Sequence, residues 1–225
     1  MPGTLYVVST PIGNLKDITQ RALEILSQVD LIAAEDTRHT GILLRRHHLN
    51  KAQVSYHEHN EQSRSQELLA ALQSGKDIAL VSDAGTPAIS DPGYRIVKLA
   101  ADRGIPVVPI PGASALLAAL VTSGLPTDRF LFEGFLPRKK GRRTRLESLA
   151  GFEGTVVIYE AARRVKQTLN DIAGHFGNRR VALCRELTKK FETVLRGSVQ
   201  DVLETLGERP LKGECVLVIG KAGLA

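Results

Sequence analysis

Carboxylates, histidines and an arginine recur in this 225-residue chain where apolar runs end, and two of those ends also carry glycine and proline. The clearest case is Ser82-Asp83-Ala84-Gly85-Thr86-Pro87, which follows the apolar run Ile78 to Val81 and is echoed at once by Ser90-Asp91-Pro92-Gly93. Ser9-Thr10-Pro11-Ile12-Gly13-Asn14-Leu15, Glu35-Asp36-Thr37-Arg38 and His57-Glu58-His59-Asn60 close three other apolar runs. Gly13 and Gly85 let backbone approach a ligand closely, while Pro11 and Pro87 set the turns. Turn chemistry accounts for one glycine and one proline per loop. It does not account for acids, imidazoles and a guanidinium delivered together, which is the equipment of a polar binding site. His57 and His59 alternate with Glu58 and would share one face of a strand, as metal ligands can. No third ligand stands at a telling spacing, so no metal is expected.

Other chemistries are excluded by what is missing. The chain contains no G-x-G-x-x-G, no G-x-x-x-x-G-K-[ST] and no H-E-x-x-H. Ser82, Ser90 and Ser114 lie in no G-x-S-x-G context, which argues against a hydrolase nucleophile. Cys184 and Cys215 each sit within an apolar run and are expected to be buried thiols rather than a disulfide. Apolar runs such as Ala113 to Val121 are too short to span a bilayer, and the first ten residues lack the pattern of a secretory signal. A cytoplasmic protein with no membrane partner is expected.

Elements must carry these loops to one place. Strands are expected at Thr4 to Ser9, Asp30 to Ala34, Val54 to Tyr56, Asp77 to Ser82 and Pro106 to Ile110. Amphipathic helices are expected at Ile18 to Val29, Gln66 to Gln73 and Tyr94 to Arg103. Near-continuous apolar strands alternating with helices imply a parallel sheet covered on both faces, with ligands bound beyond the carboxyl ends of the strands. After a joint at Pro109-Ile-Pro-Gly112, helices are expected near Ser114 to Thr122, Arg142 to Leu149 and Arg164 to Phe176. Strands follow near Arg129 to Phe135, Thr155 to Tyr159, Arg180 to Leu187, Glu192 to Leu195 and Glu214 to Ile219. Several of these links are too short for parallel crossovers, so this sheet must be mixed. The fold class is α/β: an N-terminal domain (1–112) with a mainly parallel sheet and a C-terminal α/β domain (113–225) with a mixed sheet.

Charge separates the two halves. Residues 1–112 hold 11 Lys and Arg against 12 Asp and Glu, whereas residues 113–225 hold 19 against 12. The densest cationic run is Arg138-Lys139-Lys140-Gly141-Arg142-Arg143-Thr144-Arg145. A run of this kind can be a solvated loop, but an asymmetry of this size favours a surface that faces nucleic acid.

The same segments carry a family resemblance. Ser-Thr-Pro-Ile-Gly-Asn-Leu-Lys-Asp-Ile (9–18), Ala-Glu-Asp-Thr-Arg (34–38), His-Glu-His-Asn (57–60) and Val-Ser-Asp-Ala-Gly-Thr-Pro-Ala-Ile-Ser-Asp-Pro-Gly (81–93) lie in the first half. Pro-Gly-Ala-Ser-Ala (111–115), Glu-Gly-Phe-Leu-Pro (133–137), Arg-Glu-Leu-Thr-Lys (185–189) and Gly-Glu-Cys-Val-Leu-Val (213–218) continue the series. In that order, over essentially the whole chain, they resemble the small-subunit ribosomal RNA cytidine-2′-O-methyltransferases of the tetrapyrrole methylase superfamily. The resemblance implies a two-domain class III methyltransferase. It implies S-adenosylmethionine folded into a cleft between the domains, a homodimer, and a cytidine ribose in the decoding region of small-subunit ribosomal RNA as target, in free RNA or in the assembled subunit.

By the same resemblance Pro11, Gly13, Asp83, Gly85, Thr86 and Pro87 face the cofactor, joined by Ala113, Ser114, Tyr159, Leu187, Gly213 and Glu214. A structural alternative for Asp83 is to cap the helix after its loop. Arg38, His57, His59 and Asn60 fall to the RNA or to holding the first loop. The cations Arg138, Lys139, Lys140, Arg142, Arg143 and Arg145 fall to the RNA. For removing the ribose proton the candidates are Lys189, Asp36 and Glu160, with Glu186 beside them. Lys189, flanked by Lys190 and Arg185, is either a base of depressed pKa or a phosphate contact. The alternative for Asp36 is a salt bridge to Arg38; for Glu160 and Glu186 it is a buried hydrogen-bonding place at a strand end.

Two features depart from the family pattern. Tyr159-Glu160-Ala161-Ala162-Arg163-Arg164 replaces Tyr-Glu-Ser-x-His-Arg, so Arg163 takes the histidine's place and is expected to meet phosphate. Ala225 follows closely on the last strand, where relatives often continue into a helical tail. The rival activities are methylation of a tetrapyrrole or other small molecule and a non-catalytic RNA-binding module. Tetrapyrrole methylases read Gly-Ala-Gly-Asp-Pro in the first loop, against Pro-Ile-Gly-Asn-Leu here.

Overall fold

The computed structural model describes residues 1–208 and 210–224; Arg209 and Ala225, the last residue of the C-terminal segment considered above, lie outside the described residues. The chain forms two compact units, Met1–Ser114 and a second from Ala115 onward.

The first unit alternates strand and helix: β1 (Leu5–Val8), α1 (Gln20–Gln28), β2 (Leu31–Ala34), α2 (Thr37–Arg46), β3 (Gln53–Ser55), α3 (Glu61–Gln73), β4 (Ile78–Val81), α4 (Tyr94–Asp102) and β5 (Val107–Ile110). Its five strands lie in the order β3-β2-β4-β1-β5, all parallel. Both faces are buried, which is why Ile78-Ala79-Leu80-Val81 is apolar without interruption. Ile78 and Leu80 enter a core with Leu68, Leu72 and Ile96. Ala79 and Val81 enter the opposite core with Leu26, Val29 and Leu44. A fully buried side chain of this size contributes roughly 1.5–3 kcal/mol by leaving water. Helix α1 starts where the Thr19 hydroxyl accepts the Ala22 N–H, and α2 where the Asp36 carboxylate accepts the Arg38 N–H.

The second unit runs α5 (Ala115–Thr122), β6 (Phe130–Phe135), α6 (Arg142–Ala150), β7 (Thr155–Ala161), α7 (Val165–Phe176), β8 (Arg180–Arg185), β9 (Thr193–Ser198), α8 (Val199–Leu206) and β10 (Glu214–Ile219). Its sheet has the order β6-β7-β10-β8-β9. Only β6 and β7 pair in parallel; β10 is antiparallel to both neighbours, as β9 is to β8. One core of Leu146, Val156, Ile158, Leu169, Leu183, Val202 and Leu217 packs α6, α7 and α8 on the sheet.

Both sheets have the expected character, with differences in detail. Helix α2 was missed in sequence; it begins inside the segment read as a loop, because Asp36 serves as a cap. Helix α3 starts five residues earlier than its apolar pattern, held by turn and side-chain bonds described below. Helix α8 was not anticipated; Ser198 and Asp201 form its reciprocal capping box. Cys184 and Cys215 are free and buried, and burial pushes the Cys215 thiol up to about 12. Among the described residues no helix is long and apolar enough to cross a membrane.

Candidate functional site

In the first unit the loops leaving the strands are bonded into one rim. Thr10 and Gly85 exchange both backbone hydrogen bonds, at 2.9 and 3.0 Å, so the loops after β1 and β4 are zipped together. Gly85 has φ +86°, a conformation side chains rarely adopt, and this is what lets the loop turn back against Thr10. The Ser9 and Thr86 hydroxyls are 2.9 Å apart, and the Thr10 hydroxyl donates to the Ser82 carbonyl at 3.1 Å. The Thr86 hydroxyl donates to the Ala113 carbonyl at 3.4 Å, which adds the segment after β5. Pro11, Gly13, Gly85, Thr86, Pro87 and Ala113 therefore belong to one bonded set of loops, with Ser114 next in the chain.

Acidic groups brace the other side of this rim. The Asp83 N–H donates to Glu35 Oε2 at 3.1 Å, while Asp83 Oδ1 accepts the Asp36 N–H at 3.0 Å. Asp83 thus joins the β4 loop to the β2 loop. It does not cap α4, whose N-cap is Gly93. Burial raises the pKa of Glu35, against the help of the Asp83 N–H. Burial, then the Glu35 charge, pushes Asp91 up to about 7, with Ser82 opposing and Asp83 assisting. Glu35 and Asp91 stand in loops singled out from sequence, but neither was given a role there. The Glu35-Asp36 pair and the doubled Ser-Asp turn were their signals, but their shared field exists only once the strands lie side by side.

Asp36 is bound to its own helix. Arg38 contacts both of its oxygens, the nearer guanidinium nitrogen at 2.6 Å, and adds its backbone N–H. These bonds hold the carboxyl well below the usual range, so Asp36 is a poor proton acceptor at neutral pH. Arg38 is otherwise exposed to solvent.

His57 and His59 do not share a strand face, because β3 ends at Ser55. They lie in the turn before α3, built by Asn60: its Oδ1 accepts the His57 N–H at 2.9 Å and its Nδ2 donates to the Ser55 carbonyl at 3.1 Å. The two rings meet edge to face at 6.0 Å. Among the described residues no three His, Cys, Asp or Glu side chains are grouped to hold a metal ion. Glu61 at the start of α3 accepts from the Tyr56 hydroxyl at 3.0 Å and the Arg95 N–H at 3.3 Å, tying this turn to α4.

In the second unit the candidates fall into two groups. Lys189 donates to Glu186 Oε1 at 3.1 Å and Glu214 Oε2 at 2.8 Å. Burial alone would lower its pKa; the carboxylates of Glu214 and Glu186 outweigh burial, and the net shift is upward. This lysine is held as a cation rather than prepared as a base. Glu186 Oε1 also accepts the Glu214 N–H at 3.0 Å, so its pKa is lowered. Gly213 makes that approach possible, since a β-carbon there would lie 2.5 Å from the Glu186 carboxyl carbon. Glu186 and Thr188 both adopt positive φ, at 52° and 66°, with Leu187 buried between them. Backbone of this kind is costly and concentrates at functional places.

The other group surrounds β7. The Tyr159 hydroxyl accepts the Leu116 N–H at 3.0 Å, and its ring meets Phe132 at 4.8 Å and Phe135 at 5.7 Å. Glu160 is 2% exposed, with Oε2 accepting from the Thr168 hydroxyl at 2.6 Å and Oε1 from the Ala161 N–H at 2.9 Å. Both oxygens are engaged inside the fold, which is the structural alternative foreseen for it. Nor are the cations of 138–145 one uniform patch. Arg142 is buried against Asp171 at 2.8 Å, Arg143 pairs with Glu147 at 2.7 Å and Arg145 with Glu133 at 2.9 Å. Arg138, Lys139, Lys140 and Arg163 are exposed.

A parallel sheet with its polar loops bonded beyond the strand ends, followed by a mixed sheet of the order given above, is the architecture shared with solved methylases of the tetrapyrrole type. Residues 4–203 match the family described as Tetrapyrrole (Corrin/Porphyrin) Methylases. A solved uroporphyrin-III C-methyltransferase from Thermus thermophilus, complexed with S-adenosylhomocysteine, shares the fold at TM-score 0.65 and 18% identity, covering 97% of each chain. Relatives are much nearer in sequence. A protein of Synechocystis sp. named Ribosomal RNA small subunit methyltransferase I is 54% identical over 222 residues, 98% of this chain and 80% of the relative. One of the same name from Escherichia coli O157:H7 is 52% identical over 221 residues, 96% of this chain and 77% of the relative. The chain belongs to the tetrapyrrole methylase family, in the group named for ribosomal RNA small subunit methyltransferase I.

Proposed function

We propose that this protein transfers a methyl group from S-adenosylmethionine to the ribose 2′-hydroxyl of a cytidine in the decoding region of small-subunit ribosomal RNA. The observation that carries this reading is 54% identity across nearly the whole chain to a protein named for methylation of that RNA. The Pro-Ile-Gly-Asn-Leu loop and the cationic second half favour RNA over a tetrapyrrole. We place the protein in the cytoplasm, as a homodimer acting on ribosomal RNA or on the small subunit.

The residues fit the donor's chemistry. The bonded rim of Pro11, Gly13, Asp83 to Pro87 and Ala113 offers close backbone, and the Glu35, Asp83 and Asp91 carboxylates suit a ligand carrying an ammonium and a sulfonium. When bound, S-adenosylmethionine supplies a methyl group on positively charged sulfur. In the second unit Leu187, Gly213 and Glu214 keep their proposed cofactor role, on the strained 186–188 turn and its glycine neighbour. Lys189, kept protonated, binds phosphate rather than accepting the ribose proton. Asp36 and Glu160 are spoken for by Arg38 and Thr168, so alignment of the attacking hydroxyl supplies most of the rate, its proton passing to solvent water as the oxygen–carbon bond forms and the sulfur–carbon bond breaks. Tyr159 closes the apolar wall of Phe132 and Phe135.

Mass spectrometry of small-subunit ribosomal RNA from cells with and without the protein tests the reading. One ribose methyl on a cytidine should disappear without it and return on re-expression. An unchanged methylation pattern would remove the proposal.

A further inference from the structure

One cation of the 138–145 run points away from solvent, and its partners form a knot. Arg142 Nε donates to Asp171 at 2.8 Å, Nη2 to the Thr168 hydroxyl at 2.8 Å and Nη1 to the Pro137 carbonyl at 3.2 Å. Thr168 in turn donates its single hydroxyl proton to Glu160 at 2.6 Å. Glu160 pairs with Arg164 at 3.4 Å, and Arg164 donates to the Leu136 carbonyl at 3.3 Å. The centre of the knot is buried: Thr168 is fully buried, Glu160 is 2% exposed and Arg142 8%. A hydroxyl that accepts from a guanidinium and donates to a carboxylate suits such a place, since each buried charge then has a directed partner.

What the knot holds is the root of a loop. Leu136 and Pro137, whose carbonyls are gripped by Arg164 and Arg142, come directly before Arg138-Lys139-Lys140. The Arg142 N–H also returns to the Lys139 carbonyl at 3.2 Å. Arg163 stands next to Arg164 at the far end of the same network. Four exposed cations from separate stretches of chain are thus rooted in one buried ionic cluster.

We propose that Thr168 and Arg142 are positioning residues that preorganise Arg138, Lys139, Lys140 and Arg163 as a single phosphate-binding surface for the RNA substrate. Arg142 itself makes no phosphate contact. This inference rests on the RNA reading above and deepens it. Loose lysine and arginine side chains on a free loop would lose conformational freedom on binding; a loop pinned at both ends has already lost part of it.

The test is steady-state methylation of small subunits lacking the modification, with the variants Thr168→Val and Thr168→Ser. Thr168→Val changes no charge but breaks the relay, and should raise KM for the RNA about tenfold at physiological salt. Its kcat at saturating RNA and its calorimetric affinity for S-adenosylmethionine should stay within twofold of the parent. Thr168→Ser, which restores the hydroxyl, should restore KM. Should Thr168→Val fail to fold, Asp171→Asn at the solvent side of the knot provides the same reading. A KM unchanged in the folded variant, or raised alike in Val and Ser, overturns the positioning role. A control separates the two levels: a triple variant with alanine at Arg138, Lys139 and Lys140 should raise KM further than Thr168→Val. If the triple variant also leaves KM unchanged, the RNA reading of this surface fails, rather than the knot alone.

Discussion

Asp91 carries the plainest consequence of crowding acids at a sheet edge. Its pKa rises from 3.8 to about 7 because burial and the neighbouring Glu35 charge both disfavour its ionised form. Folding therefore binds this proton more tightly than the unfolded chain does. The sign follows: the group's contribution to stability is fully present below about pH 4, declines as pH rises toward 7, and is level above that. Asp91→Asn should remove this decline and raise the melting temperature at pH 8, as a pH series of thermal melts would measure. On the proposed placement of S-adenosylmethionine, its cationic groups favour the charged form of Asp91, so affinity should strengthen as pH rises toward 7, and Asp91→Asn should flatten that trend in calorimetry. Melting curves that respond to pH identically in both proteins would mean that Asp91 does not hold its proton as described.

Elements carry strain where the residues above must meet. The turn between β8 and β9 holds Glu186 and Thr188 at positive φ and keeps Lys189 between two carboxylates. Gly213, just before β10 and itself at φ +97°, leaves the space into which Glu186 fits. Gly213→Ala should displace Glu186, free Lys189 and destabilise the second unit by about 2 kcal/mol or more, the range for overpacking combined with a strained backbone. Urea unfolding would measure this, and a loss below about 0.5 kcal/mol would show that the carboxylate moves aside at little cost. Helix starts show how far such local features can be read. Asp36 and Ser198 cap α2 and α8 by rules visible in any sequence. Yet Asp36 also reads as a chemical group, and α8 is hidden because its short apolar pattern lies between two stronger strand signals.

Across the whole molecule, charge is the property most visible in composition. The excess of Lys and Arg lies in residues 113–225. Half of its densest run is nonetheless spent on internal or local pairs, since Arg142, Arg143 and Arg145 each face an acid. Arg143 and Arg145 stay exposed beside their acids, so Arg138, Lys139 and Lys140, which no described ion pair engages, should set most of the salt response. Replacing Arg138, Lys139 and Lys140 with alanine should make the slope of log affinity against log salt shallower by about 2, at roughly 0.7–0.9 for each phosphate no longer neutralised. Filter binding to small-subunit RNA over a salt series would detect it. An unaltered slope would mean that the loop does not touch the phosphates.

Alternating apolar runs, punctuated by Gly and Pro, were enough to determine two α/β sheets, their parallel and mixed character, and the loops that carry chemistry. Those properties follow from period and turn rules that act over a few residues. Partner choice was not legible in the same way. Asp83 bonds to Glu35 and Asp36 nearly fifty residues away, Lys189 to Glu214, and Arg142 to Thr168 and Asp171. Each carboxylate or cation had several plausible partners along the chain, and the order of the strands and the packing of the helices selected among them. Burial then decided which charges titrate, which stay paired, and which remain for a ligand.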